Sequence, residues 1–162
     1  SEHAPTWQDE QREKPVLEVW VVEDNDLIRN MFLELAPAMM KECRYVAFEK
    51  SEDAVREIKK RISEGKPMPT GIFMDGTLGK DDSEFKQGSL VVQKIRAMEQ
   101  AQKTLIVAFS SDDKMNEAMM RNGATIALEK PFQGDKLRDV LKKIKEAYEI
   151  NEEYPHQPPL TK

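Results

Sequence analysis

Short apolar runs alternate with longer amphipathic stretches along the chain. Val16 to Val22 is mostly β-branched and apolar, the pattern of a buried strand. Leu27 to about Lys41 has helical character, and Pro37 is expected to kink or split it. Tyr45 to Phe48 is a short strand. Ser51 is expected to cap a helix with Glu52 and Asp53 in its first turn. That helix places Val55, Ile58 and Ile62 on one face. Gly71 to Met74 forms a third strand running into Asp75, and residues 76–87 read as a long polar loop. Leu90, Val91, Ile95 and Met98 give another helical stripe, and Thr104 to Phe109 a fourth strand. Ser111-Asp112-Asp113 opens a helix with Met115, Ala118 and Met119 inward. Thr125 to Leu128 is the fifth strand. Leu137, Val140, Leu141, Ile144 and Tyr148 then fall on one face of a last amphipathic helix.

Five such strand–helix units predict an α/β fold, a doubly wound parallel sheet with helices on both faces and right-handed crossovers. The polar segment 1–15, containing Pro5 and Pro15, is expected to be a flexible N-terminal arm. Residues 16–149 form the domain, and 150–162 a Pro-rich tail. The opening at Ser1 is expected of a processed chain or of a piece of a longer protein.

Charge narrows the function classes. The 162 residues carry 25 Lys+Arg against 30 Asp+Glu, a formal net charge of −5. The basic runs Lys59-Lys60-Arg61 and Lys142-Lys143 fall on helices and read as solvated faces, so direct nucleic-acid binding is not expected. The lone Cys43 rules out an internal disulfide and fits a reducing compartment. His3 and His156 lie near the ends, which argues against a histidine zinc site or a Ser-His-Asp triad. No apolar run approaches the ~20 residues that span a bilayer. No secretory pattern opens the chain. Membrane insertion is not expected, and the location expected is cytoplasmic.

In a parallel sheet of this kind, ligands bind beyond the carboxyl ends of the strands. There the first strand delivers Glu23, Asp24, Asn25 and Asp26, and the third delivers Asp75. The fourth delivers Ser110 and Ser111, and the fifth Glu129, Lys130 and Pro131. Close carboxylates repel one another unless a cation neutralises them, and hard oxygen ligands suit Mg²⁺. An Asp beside Mg²⁺ and a lysine is a reasonable nucleophile toward phosphorus, because the repelling charges are screened.

Four segments taken together, Val21 to Asn25, Phe73 to Asp75, Val107 to Ser111 and Glu129 to Phe132, resemble the receiver domain of two-component response regulators. The resemblance spans about residues 16–149. It implies a flavodoxin-like strand order, 2-1-3-4-5. It also implies that Asp75 accepts a phosphoryl group from a phosphohistidine on a sensor histidine kinase or a histidine phosphotransfer protein. Glu23, Asp24, Asp75 and the backbone carbonyl of Thr77 would hold Mg²⁺. Lys130 and Ser110 would contact the phosphoryl group, and Pro131 would follow a cis bond. Thr77 and Asp112 would tune self-dephosphorylation. Such a domain catalyses at most its own phosphorylation and dephosphorylation. It would switch contacts with a downstream protein, as a monomer or weak dimer.

The chain departs from the family pattern in two places. Ala127 stands where the family usually has an aromatic switch residue. The stretch between Asp75 and Gly88 is longer than usual, with Leu78-Gly79 where Met-Pro or Leu-Pro is common. These features keep open a pseudo-receiver that signals by protein contacts without phosphorylation. A third reading is disfavoured. Asp75-Gly76-Thr77-Leu78 is similar to part of the haloacid-dehalogenase phosphatase signature, but its nucleophile position holds Phe73.

Overall fold

The computed structural model describes residues 15–77 and 87–153. Five parallel strands form one sheet: β1 (Glu18–Val22), β2 (Arg44–Phe48), β3 (Gly71–Asp75), β4 (Leu105–Phe109) and β5 (Ile126–Ala127). Their order is β2-β1-β3-β4-β5, the flavodoxin-like order. The helices are α1 (Asp26–Met39), α2 (Ser51–Glu64), α3 (Gly88–Arg96), α4 (Asp113–Arg121) and α5 (Gly134–Glu153). A 3₁₀ turn covers Glu99–Ala101.

Strand alternation explains the two-sided core. Along β1, Val19 and Val21 face one helical layer, while Trp20 and Val22 face the other. The first layer also contains Phe32 and Ala36 of α1 with Leu137, Leu141 and Ile144 of α5. The second contains Val55 and Ile58 of α2, Val91 and Ile95 of α3, and Met119 of α4. Phe32, Phe73 and Phe109 meet edge to face, with centroids 4.7 to 6.3 Å apart. Because both faces are covered, β1 and β3 are buried along their whole length.

Local details differ from the sequence expectations. Helix α1 continues through Pro37 to Met39, because the proline sits in the last turn, where the chain is about to leave the helix. The flanking residue of α2 is Lys50, in extended conformation, and Ser51 is the first helical residue rather than the cap. Leu90 is 40% exposed, and the inward stripe of α3 is Val91, Val92 and Ile95. Gly88, the first residue of this helix, packs closely against the Asp75 carbonyl. At the sheet edge, β5 is two residues long. Helix α5 runs past the expected boundary at 149 to Glu153. The expected arm up to residue 14, and the tail from 154 onward, lie outside the described residues.

Candidate functional site

The carboxyl ends of β1, β3 and β4, with the segment after β5, converge on one polar patch. Glu23 follows β1 directly, and its amide donates to the Phe48 carbonyl at 3.0 Å. Asn25 caps α1 by accepting from the Ile28 amide at 3.0 Å. This turn leaves Glu23 buried and Asp24 exposed. Arg29, one turn into α1, donates to the Glu23 carbonyl at 2.8 Å. Asp75 ends β3 and is 5% exposed. Carboxylate oxygens of Glu23, Asp24 and Asp75 all lie within 4.8 Å of one another.

Lys130 reaches into this cluster. Its Nζ donates to Glu23 Oε1 at 2.7 Å and to Asp75 Oδ1 at 2.9 Å. The ammonium also lies 5.1 Å from the centroid of the Phe109 ring. The Lys130–Pro131 peptide bond is cis. Burial pushes the Asp75 carboxyl up, and the neighbouring Glu23 pushes it further, against the opposing pull of Lys130; the result is about 8. For Lys130, burial lowers the ammonium pKa, but the hydrogen bonds to Glu23 and Asp75 outweigh it and the net shift is upward.

Ser110 follows Phe109, the β4 partner of Asp75, and lies beside Gly76. Its Oγ accepts from the Asp112 amide at 3.1 Å, leaving its own hydrogen to donate. A Cβ on Gly76, the residue after Asp75, would lie 2.8 Å from Ser110 Oγ, so only glycine fits this close approach. Thr77 is exposed and bridges to Gln87 in antiparallel fashion. Asp112 is exposed and caps α4, accepting from the Lys114 amide at 2.9 Å. Ala127 pairs with Ala108 in the ladder and lines an open groove of about 510 Å³ between α4 and the start of α5. Phe73 lies in the core between Phe32 and Phe109, with no nucleophile at its position.

The chain thus brings together Glu23, Asp24, Asp75 and Lys130, with Ser110 and Thr77 adjoining through the backbone after Asp75. Ala127 and Asp112 lie outside the carboxylate cluster, on the side of α4. Sequence reasoning missed Asn116, which is buried and binds the backbone of Ser110 through both ends of its amide. It shares a helical face with Met119, and that phase was the available signal.

The donor set fits a divalent cation. Three carboxylates and one lysine leave two negative charges uncompensated when all are ionised. The ligands are all oxygen, as Mg²⁺ prefers.

No protein-family model and no curated sequence matches the chain. Solved structures do. The response regulatory domain of mrkE from Klebsiella pneumoniae superposes with a TM-score of 0.68 and 19% identity, over 83% of this chain and 99% of that one. The signal receiver domain of the DNA-binding response regulator merR from Colwellia psychrerythraea gives 0.67 and 14%, over 80% and 98%. The chemotaxis response regulator CheY4 of Vibrio cholerae gives 0.65 and 19%, over 80% and 99%.

Proposed function

We propose that this chain, which has the fold of response regulator receiver domains, is a phosphoacceptor signalling domain with Asp75 as the acceptor. The observation that carries the reading is the bridge from Lys130 to Glu23 and Asp75 within a three-carboxylate cluster. The donor is a phosphohistidine on a sensor histidine kinase or a phosphotransfer protein. An Asp75 oxygen attacks phosphorus in line, and the P–N bond breaks. The donor imidazole leaves with that electron pair and takes up a proton.

Each neighbouring side chain has a part in this transfer. Glu23, Asp24, Asp75 and the Thr77 carbonyl would hold Mg²⁺. Bound there, the ion supplies the positive charge that keeps the carboxylates ionised and offsets the incoming phosphoryl oxygens. The Lys130 ammonium stays beside Asp75 and meets the new oxygens. The Ser110 hydroxyl donates to one of them. Thr77, two residues after the acceptor, and Asp112, the cap of α4, set how readily water reaches the acyl phosphate. The product carries added charge and acceptor oxygens, which bias the contacts made by the surrounding surface.

A second reading, a pseudo-receiver that binds partners without phosphorylation, is favoured by Ala127. Intact mass after incubation with Mg²⁺ and acetyl phosphate, and separately with a phosphorylated histidine phosphotransfer protein, decides between the two. A labile gain of one phosphoryl group, absent in Asp75→Asn, is expected. No gain from either donor, together with no Mg²⁺ binding by calorimetry, would replace this reading with the second.

A further inference from the structure

Ser110 would touch the phosphoryl group, yet the side chain usually expected to relay its movement is missing at Ala127. The structure offers a different connection. Asn116 is the fourth residue of α4 and is 6% exposed. Its Oδ1 accepts from the Ser110 amide at 3.0 Å, and its Nδ2 donates to the Ser110 carbonyl at 2.9 Å. The chemistry of the partners fixes the orientation of the amide, since a backbone N–H only donates and a carbonyl only accepts. The side chain therefore replaces a neighbouring strand for a residue just beyond β4.

The same Ser110 carbonyl also accepts from the Lys130 amide at 3.1 Å. Both of its lone pairs are in use, one for each neighbour. Asn116, Ser110 and Lys130 are thereby joined through a single oxygen. Helix α4 has two more seats on the acceptor side. A Cβ on Gly76 would fall 2.3 Å from Met115 Cγ, and one on Gly88 would fall 3.0 Å from Met119 Sδ. Met115 in the first turn of α4 and Met119 in the second thus rest against Gly76 and Gly88, the glycines packed around the Asp75 carbonyl, while the Asn116 amide holds Ser110. Asparagine is a poor choice inside a helix on propensity alone, so the tertiary contact accounts for its presence. Asn116 also lines the groove beside Ala127 and Met120.

Building on the phosphoacceptor reading, we propose that Asn116 is a positioning residue: it fixes Ser110 for the phosphoryl contact and carries the movement of Ser110 into α4 and the groove beside Ala127. The connection is rigid because both ends of the amide are engaged. A displacement of Ser110 toward Asp75 must draw α4 with it or break two buried hydrogen bonds.

The test uses the whole chain with Mg²⁺ and beryllium fluoride, which stands in for the phosphoryl group, followed by backbone amide NMR. In the parent protein, shifts are expected at Asp75 and Lys130, and also at Glu117, Met120 and Ala127. In Asn116→Ala the first pair should persist, and the second group should shrink severalfold. Asn116→Asp keeps the shape and the acceptor for the Ser110 amide but sets a carboxylate oxygen against the Ser110 carbonyl. It should lose the distant shifts while the Ser110 amide stays protected from hydrogen exchange. In Asn116→Ala that amide should exchange about tenfold faster.

Undiminished shifts in α4 in both variants would overturn the proposal. So would a parent response confined to Asp75 and Lys130, with the phosphoacceptor reading left standing. No parent response at Asp75 or Lys130 would remove that reading, and this proposal with it.

Discussion

Asp75 sits where burial and Glu23 oppose its ionisation and Lys130 alone favours it. A proton bound by the folded chain but not by the unfolded one makes stability fall as pH rises. The ordinary carboxyl value is 3.8 and the folded one about 8, so this loss spans about pH 4 to 8. Asp75→Asn removes the titration. Without metal the variant should be the more stable by about 2 kcal/mol at neutral pH, since its amide needs no proton taken up on folding to sit beside Glu23. Its advantage should widen from pH 4 to pH 8 and stay level above. Mg²⁺ competes with the same proton. The rise in melting temperature on adding Mg²⁺ should therefore be larger at pH 8.5 than at pH 6 in the parent chain, and small at both in Asp75→Asn. Thermal melts across this pH range check both statements. An advantage of Asn over Asp that does not vary with pH would show that Asp75 is not the titrating group.

Among the elements, α3 begins at one close backbone contact. A Cβ on Gly88 would lie 2.2 Å from the Asp75 carbonyl oxygen, and backbone cannot swing aside. A Cβ on Gly71 would meet only side-chain atoms, Cδ1 of Ile144 at 2.7 Å and its two Cγ atoms at 3.1 Å, and a side chain can shift where backbone cannot. Gly88→Ala should therefore cost about 3 kcal/mol and Gly71→Ala about 1 kcal/mol, as read by urea unfolding. The two ranking equally would refute the backbone contact. The burial of α3 also shows what the sequence concealed. The stripe Leu90, Val91, Ile95 and Met98 gave the helix, but Leu90 lies at the edge of the buried face and is exposed, while Val92, outside the stripe, is buried. Asn116 was missed for a related reason. A polar residue on an amphipathic helix reads as solvent-facing until a partner is known, and its partner is backbone from another element. The strand-end residues were legible because the parallel order alone gathers Glu23, Asp75 and Lys130. Their hydrogen bonds were not, being contacts between residues 55 and 107 positions apart.

At the scale of the molecule, the sheet has a polar feature at each end. Opposite the carboxylate cluster, Glu18 is 2% exposed at the start of β1. It pairs with the Arg61 guanidinium through both of its oxygens, and Arg44 approaches at 3.6 Å. Arg61 also stacks 5.2 Å from the centroid of the Trp20 ring. Removing one member of a buried pair strands the other, whereas replacing both need not. Arg61→Met should cost about 3 kcal/mol, and Glu18→Leu with Arg61→Met should recover most of it. Equal losses in the single and double variants would mean that Arg61 acts through packing on Trp20 alone.

The bridge between Thr77 and Gln87 is backed by a hydrogen bond of 2.8 Å from the Gly88 amide to the Gly76 carbonyl. The two described stretches of chain that end at Thr77 and begin again at Gln87 are thus fastened to each other. Loop closure grows only logarithmically with length, by about 0.6 kcal/mol per doubling. Residues between these positions can therefore be added or exchanged with little penalty to the sheet. The backbone that carries Asp75 is thus insulated from the length of chain that follows it, as a hem holds a cloth whatever hangs below.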